Sequence, residues 1–209
     1  MSYGCYVFLQ NQDAPSINSQ MRGLQPGMTV LPTPASLSPN ALPFRTGVGI
    51  MLINRDGLVW VGRRRPKWAS DGQAHIWQMP QGGIEKFEAP RIAALRELRE
   101  ETGVTHVEML AEHPEWLSYE LPPHLLGVAL KGRYRGQRQK WFAMRFLGED
   151  SDIDIAAKAE TKAEFDMWRW APMETLPELI VPFKRGIYER VTTDFAYLAR
   201  PATEPSAED

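Results

Sequence analysis

A mixed α/β domain, with helices packed on a sheet, is the architecture expected of this chain. Strand-like runs lie on both sides of one capped helix, and an amphipathic run closes the body. The 209 residues are 43% hydrophobic and 24% charged, an ordinary globular composition. A chain of that length buries a sizeable core without disulfides or a structural metal.

Residues 1–41 hold one acid, Asp13, and one base, Arg22, among many Ser, Asn, Gln and Pro. They are expected to form a disordered extension, and Met28 is an alternative start. Residues 42–200 are the expected domain. Residues 201–209, with Glu204, Glu208, Asp209 and no base, read as a flexible acidic tail.

Within the domain, Gly47–Ile53 suits a buried strand. Asn54-Arg55-Asp56-Gly57 is a turn signal, and Leu58–Gly62 follows as a second strand. Arg63–Ala74 reads as a basic loop. Pro90–Thr102 is a helix, because Pro90 suits the first helical position and Gly103 the position past the end. Ile92, Leu95 and Leu98 share one face of it, with Ala94 beside them. Val107–Ala111, Trp116–Leu121, Lys140–Leu147 and Phe165–Ala171 read as strands. Pro182–Leu198 reads as an amphipathic helix that starts at proline. Trp60, Trp77, Trp141, Trp168 and Trp170 fall in strand-like runs and are assigned to the core or a sheet face.

Several classes of function are excluded or disfavoured. Cys5 is the single cysteine, so there is no internal disulfide framework and no cysteine zinc cluster. His75, His106, His113 and His124 are scattered without metal-ligand spacing or evident partners. No apolar run approaches membrane-spanning length. The N-terminus lacks a basic segment followed by a clear cleavage site, so a cytoplasmic location is expected. The net charge of −2 gives no strong overall field, and the domain is near neutral, which does not favour a long RNA track. Local patches escape that argument.

One stretch carries the chemistry: Gly82-Gly83-Ile84-Glu85-Lys86-Phe87-Glu88, seven residues, then Arg96-Glu97-Leu98-Arg99-Glu100-Glu101-Thr102-Gly103-Val104. On a helix, Glu97 and Glu101 share a face and Glu100 adjoins both. Carboxylates so placed repel unless a hard divalent cation sits between them. Mg²⁺ accepts such oxygen ligands and keeps waters for substrate phosphates. The glycine-rich loop lets a backbone carbonyl approach the same ion. Arg96 can grip Glu88 bidentately and tie the loop to the helix. The plainer alternative is a solvated helix laced with Glu–Arg pairs, of which Arg96–Glu100 is one by spacing.

The whole stretch matches G-x5-E-x7-R-E-U-x-E-E-x-G-U, with U aliphatic, at every fixed position. A chance match in this length is on the order of one in ten million. The sequence thus resembles the Nudix hydrolase superfamily. That resemblance implies an α/β/α sandwich with a mixed sheet and a loop–helix–loop motif. It also implies hydrolysis of nucleoside diphosphates linked to another group, with Mg²⁺ or Mn²⁺. By matching positions it makes Glu97, Glu100, Glu101 and the Gly82 carbonyl metal ligands, and Glu88–Arg96 the structural pair. Phe87 departs from the pattern, since many members have glycine there.

Further stretches extend the resemblance over roughly residues 44–198. They are Phe44–Gly49, Trp77–Gly83, Gly136–Phe142, Glu164–Trp170 and Phe183–Tyr188. Together they are similar to bacterial RNA pyrophosphohydrolases and (di)nucleoside polyphosphate hydrolases. The implied substrates are a 5′-triphosphorylated RNA end or a diadenosine polyphosphate. Glu164 would complete the metal cage. Arg45 and Arg64 match phosphate-contacting positions, Gln139 and Lys140 a substrate-edge motif, and Phe183 a nucleobase-stacking position, with Tyr119 a further candidate. Glu97 is the first choice for the base that accepts the water proton, with Glu101 or Glu164 next. The long Arg65–Gln73 loop resembles the dinucleoside-polyphosphate group more than the shorter-looped RNA enzymes. The alternative of another class is a catalytically inactive Nudix domain that binds nucleotide or RNA as a regulator. Such domains usually lose box glutamates, and all are present here. Oligomeric state is not legible.

Overall fold

The structure, a computed structural model, describes residues 42–64, 77–156 and 163–199. The 1–41 extension, the Arg65–Gln73 loop and the acidic tail lie outside the described residues. Seven described strands form one mixed sheet: β1 (Phe44–Ile53), β2 (Val59–Arg64), β3 (Trp77–Gln78), β4 (Gln81–Gly83), β5 (Val107–Glu120), β6 (Gly136–Phe146) and β7 (Phe165–Ala171).

The apolar run in β1 makes it the centre of this sheet, buried from Gly47 to Ile53. It runs parallel to β6 over its whole length, from Phe44↔Gly136 to Ile53↔Arg145. Its other edge is shared. β2 meets it antiparallel at Ile53↔Val59 and then pairs with β7, while β4 takes the other half, from Gly47↔Gly83 to Gly49↔Gln81. The glutamate-rich motif enters through that split. The turn before β2 forms as expected. The Asn54 Oδ1 accepts from the Asp56 and Leu58 amides at 3.0 and 2.9 Å, and Gly57 takes φ 80°.

Side-chain alternation along the strands builds two cores, one on each face. Val48, Ile50, Leu52, Phe142 and Met144 pack on one side with α1 (Pro90–Thr102). Met51, Ile53, Trp141 and Ala143 pack on the other. That second core also holds Leu176 of the short α2 (Leu176–Leu179) and Ile187, Tyr188 and Val191 of α3 (Arg185–Asp194). The layered α/β architecture is thus the expected one. Trp60 and Trp141 are fully buried, as assigned.

The ends of α1 also match. Pro90 opens it, and Gly103 closes it at φ 75° with its N–H donated to the Arg99 carbonyl. Its core face differs from the expected one. Ala93, Ala94, Leu98 and Thr102 are buried, whereas Ile92 and Leu95 are 57% and 38% exposed. The two alanines let the helix backbone approach the sheet, which turns the larger residues outward. Phe87, in the loop before α1, sits at φ 68° and is 92% exposed. It holds a left-handed conformation that costs a non-glycine residue about 1–2 kcal/mol.

Val107–Ala111 and Trp116–Leu121 prove to be one strand. The irregularity between Glu112 and Trp116 absorbs the extra residues without ending the pairing with β6. His113 lies in that irregularity, fully buried. Contrary to expectation it has partners, since its Nε2 is 2.8 Å from the Asp194 Oδ2 and its ring packs edge-on against Phe195. The closing segment is less uniform than one helix. A 3-10 turn at Pro182–Lys184 precedes α3, and another at Ala196–Leu198 follows it.

Candidate active site

β4 and α1 meet at Gly82, where a methyl group would overlap the Glu97 carboxylate. The lack of a side chain there lets Glu97 lie directly on the strand. One residue earlier, the Gln81 amide donates to the Glu101 carboxylate at 3.0 Å. Two helix glutamates therefore bracket Gln81-Gly82. Arg96 holds the preceding loop in place. It grips Glu88 through two bonds of 2.8 Å and donates to the Gly83 carbonyl at 2.8 Å. Its remaining nitrogen reaches Glu97 at 2.9 Å and Glu100 at 3.3 Å. The Arg96 contact and the Glu85 amide hold the Glu88 carboxyl down at about 2. The expected structural pair is present.

Charge is crowded on this side. Burial raises the Glu97 pKa, and Arg96 pulls it back. Burial raises Glu101 well above the ordinary carboxylate range, and repulsion from Glu164 and Glu97 adds to the rise. Glu164 pairs with Arg64 at 2.6 Å, which brings β2 and the start of β7 to the same place. Among the described residues no three acidic, histidine or cysteine side chains converge on one point, because Glu97 leans on Arg96 and Glu101 on the Gln81 amide. The donors are nonetheless all oxygens, they repel one another, and part of the set is desolvated. That chemistry fits a hard divalent cation. The Gly82 oxygen faces Gly47, whose missing side chain leaves the carbonyl room.

The opposite charge gathers on the other side of the same strand. A methyl group at Gly83 would overlap the Arg45 guanidinium. Adjacent glycines thus admit a carboxylate at one residue and a guanidinium at the next. Beyond Arg45, Gln137 stands in register with Arg45 on β1 and with Tyr119 on β5. The Gln139 amide donates to the side-chain oxygens of Gln81 and Gln137 at 2.9 and 3.0 Å. Tyr119 is buried, and its ring lies 5.6 Å from that of half-buried Phe183. Burial raises the Tyr119 pKa, so its hydroxyl stays protonated. A cavity of about 190 Å³ opens beside the ring pair, between β5 and α3.

Lys184 belongs to this group and was missed in the sequence. It is buried, its Nζ lies 3.2 Å from the Gln81 Oε1, and it stands 5.2 Å above the Tyr119 ring. Burial, with help from Arg64, brings its pKa down to about 7 against the pull of Glu101 and Glu164. In the sequence it follows Phe183 within what reads as an amphipathic helix starting at proline. The 3-10 turn at Pro182–Lys184 turns it inward instead.

Lys140 is the candidate that the structure keeps away. It lies one residue past Gln139, so it points to the other face of the sheet. There its Nζ contacts the Pro114 carbonyl and the Glu112 carboxylate, each at 3.0 Å. Arg45, Tyr119, Gln139 and Phe183 lie along the glycine strand or the ring pair, as do Gly82, Glu97 and Glu101, and the Arg64–Glu164 pair stands near enough to act on the charge of Glu101 and Lys184. Glu100 is further out, with a side chain 46% exposed.

A carboxylate-bearing helix laid against a split sheet, with cations across the strand, is the framework of a hydrolase of polyphosphate linkages. The NUDIX domain model matches residues 43–191, and the chain belongs to that family. It is a hydrolase acting on phosphoric anhydride bonds. An RNA pyrophosphohydrolase from Brucella abortus is 56% identical over 171 residues, covering 80% of this chain and 96% of that protein. One from Mesorhizobium japonicum is 53% identical over 173 residues, covering 81% and 100%. The Escherichia coli dihydroneopterin triphosphate pyrophosphohydrolase shares the fold at 18% identity. It has a TM-score of 0.52 and covers 73% of this chain and 99% of that one.

Proposed function

We propose that this chain removes pyrophosphate from 5′-triphosphorylated RNA, with diadenosine polyphosphates as a second substrate class of the same site. The carrying observation is the division of charge across Gly82-Gly83, with Glu97 on one residue and Arg45 on the next. A phosphate chain laid along that strand meets cations on one side and carboxylates on the other. The names of the Brucella and Mesorhizobium relatives, at 53–56% identity, favour RNA.

Glu97, Glu100, Glu101, Glu164 and the Gly82 carbonyl would hold the Mg²⁺ or Mn²⁺, with Glu88 and Arg96 fixing the loop that presents them. Held there, such a cation would supply neutralisation of phosphate oxygens and a lowered pKa for an attacking water. Glu97, whose carboxylate lies against Gly82, is the group that would take the water proton. Arg45 and Arg64 grip phosphate oxygens through their planar forks. Lys184 adds an ammonium whose proton is loosely held at neutral pH. Phe183, backed by Tyr119, offers a face to the first nucleobases, where stacking supplies roughly 1–3 kcal/mol without reading sequence. A diadenosine polyphosphate presents the same phosphate chain and the same ring. Cys5, as the single cysteine, fits a reducing cytoplasmic setting.

The test is a direct competition with Mg²⁺ present. Diadenosine tetraphosphate and a short 5′-triphosphate RNA with an unpaired end are supplied together, and kcat/KM is compared. A higher kcat/KM for the RNA, with pyrophosphate as product, supports the reading. A preference for the dinucleotide makes the chain a dinucleoside polyphosphate hydrolase.

A further inference from the structure

We infer that the connection from β5 to β6 and the start of β6 form a second nucleic-acid contact surface, which holds phosphates of the RNA downstream of the 5′ end. This rests on the RNA reading above. The chain as a whole is slightly acidic, with net charge −2. Yet residues 121–139 carry Lys131, Arg133, Arg135 and Arg138 and no acidic residue. The near neutrality of the domain therefore conceals a local basic run.

Topology brings this run to the site. Gln137, which stands between Arg45 and Tyr119, is two residues from Arg135 and one from Arg138. A strand advances about 3.3 Å per residue, so these cations start within a nucleotide's reach of the ring pair. The run also bends around the sheet. Leu130 packs against the core that contains Tyr119, while Lys131 next to it is exposed. Arg138 points to the opposite face from Gln137 and Gln139. There the Arg135 guanidinium lies 4.4 Å from the Phe44 ring centre and Arg138 lies 5.3 Å from that of Trp116. Arginine over a partly exposed aromatic ring offers both a phosphate fork and a stacking surface, the pairing used on single strands.

The cations are also available. Lys131, Arg133 and Arg138 are exposed, and none has an ion-pair partner among the described residues. Leu130 and Lys131 both hold left-handed conformations, at φ 52° and 59°, which costs stability in two successive non-glycine residues. That strain presents Lys131 outward at the bend. A dinucleoside polyphosphate ends at its second base and has no chain to reach this surface.

The test is the triple variant Lys131→Asn, Arg133→Gln, Arg138→Gln. Asparagine is chosen because it tolerates the left-handed backbone. kcat/KM is measured against salt for a 20-nucleotide 5′-triphosphate RNA, a 5′-triphosphate dinucleotide and diadenosine tetraphosphate. Each lost single-strand phosphate contact lowers the log–log salt slope by about 0.7, so three lower it by about 2. The expected result is that shallower slope, and a roughly tenfold higher KM at low salt, on the 20-nucleotide RNA only. Unchanged turnover of the two short substrates shows that the variant is folded. An unaltered slope on the long RNA overturns the inference, and so does an equal loss on all three substrates. If wild-type protein cleaves diadenosine tetraphosphate but no RNA of either length, the RNA reading falls and this inference with it. Normal RNA turnover with an unaltered slope removes this inference alone.

Discussion

The Lys184 ammonium lies 3.2 Å from the side-chain oxygen of Gln81, so the turn before α3 is tied to the strand that carries Gly82. Gln139 donates to the same oxygen at 2.9 Å. Three elements thereby meet on one amide, and a cation is buried among them.

That burial is unfavourable for folding. Lys184 has its pKa brought down from 10.5 to about 7, so between those values the unfolded chain binds the extra proton. Stability therefore rises with pH from about 7 towards 10.5, and the full penalty applies below 7. Lys184→Met in metal-free protein is expected to raise Tm, most at pH 6 and progressively less towards pH 10. The same change is expected to lower kcat/KM by at least tenfold. Thermal melts across pH and steady-state kinetics check both halves. Lower Tm with normal turnover would make Lys184 a structural residue.

Glu97→Gln, Glu100→Gln and Glu101→Gln are each expected to reduce turnover by orders of magnitude with little loss of folding. Glu101→Gln should keep or raise Tm in metal-free protein, because a neutral amide replaces a carboxylate that burial and its neighbours already disfavour. Melts with and without Mg²⁺ check this. Stabilisation by the metal should shrink in each variant. A folded Glu100→Gln protein with normal turnover counts against that residue as a ligand.

Phe87 offers a test of the loop before α1. Its side chain is 92% exposed and touches little beyond Lys86, whose ammonium lies 4.9 Å from the ring. Phe87→Gly relieves the left-handed strain and should stabilise the protein by roughly 1 kcal/mol at unchanged kcat/KM. Denaturant unfolding measures the gain. A loss of stability would mean that the Phe87 ring makes a contact worth more than its strain.

Lys140→Met separates the two faces of β6. The side chain is held by Pro114 and Glu112, away from Gln139. Lower stability with an unchanged KM is the expected outcome. A raised KM with unchanged Tm would return Lys140 to the substrate edge.

Much of this was legible in the sequence, for identifiable reasons. Pro90 and Gly103 are local signals that act through backbone geometry alone, and both ends of α1 lie where they say. The motif glutamates are read by helical spacing, which also survives folding. What escaped depends on neighbours in space. Ile92 and Leu95 suit a core face, but Ala93 and Ala94 allow closer packing and take it. Gln81-Gly82-Gly83 has the composition of a loop and becomes strand β4 only because β1 leaves an edge free. His113-Pro114-Glu115 looks like a break between strands, and the pairing of β6 on both sides carries β5 through it. Lys184 follows Phe183 in sequence, but the turn that buries it is not written in hydrophobic periodicity.

The central claim is that the carboxylates around Gly82 form a metal-dependent centre for cleaving an RNA 5′-triphosphate. Its most direct test is product release from a short 5′-triphosphate RNA with an unpaired end, followed with and without Mg²⁺. Pyrophosphate and a 5′-monophosphate RNA are the expected products, with Mg²⁺ required and Glu101→Gln nearly inactive. Equal product release after complete removal of divalent cations, or undiminished release by folded Glu101→Gln protein, would contradict it.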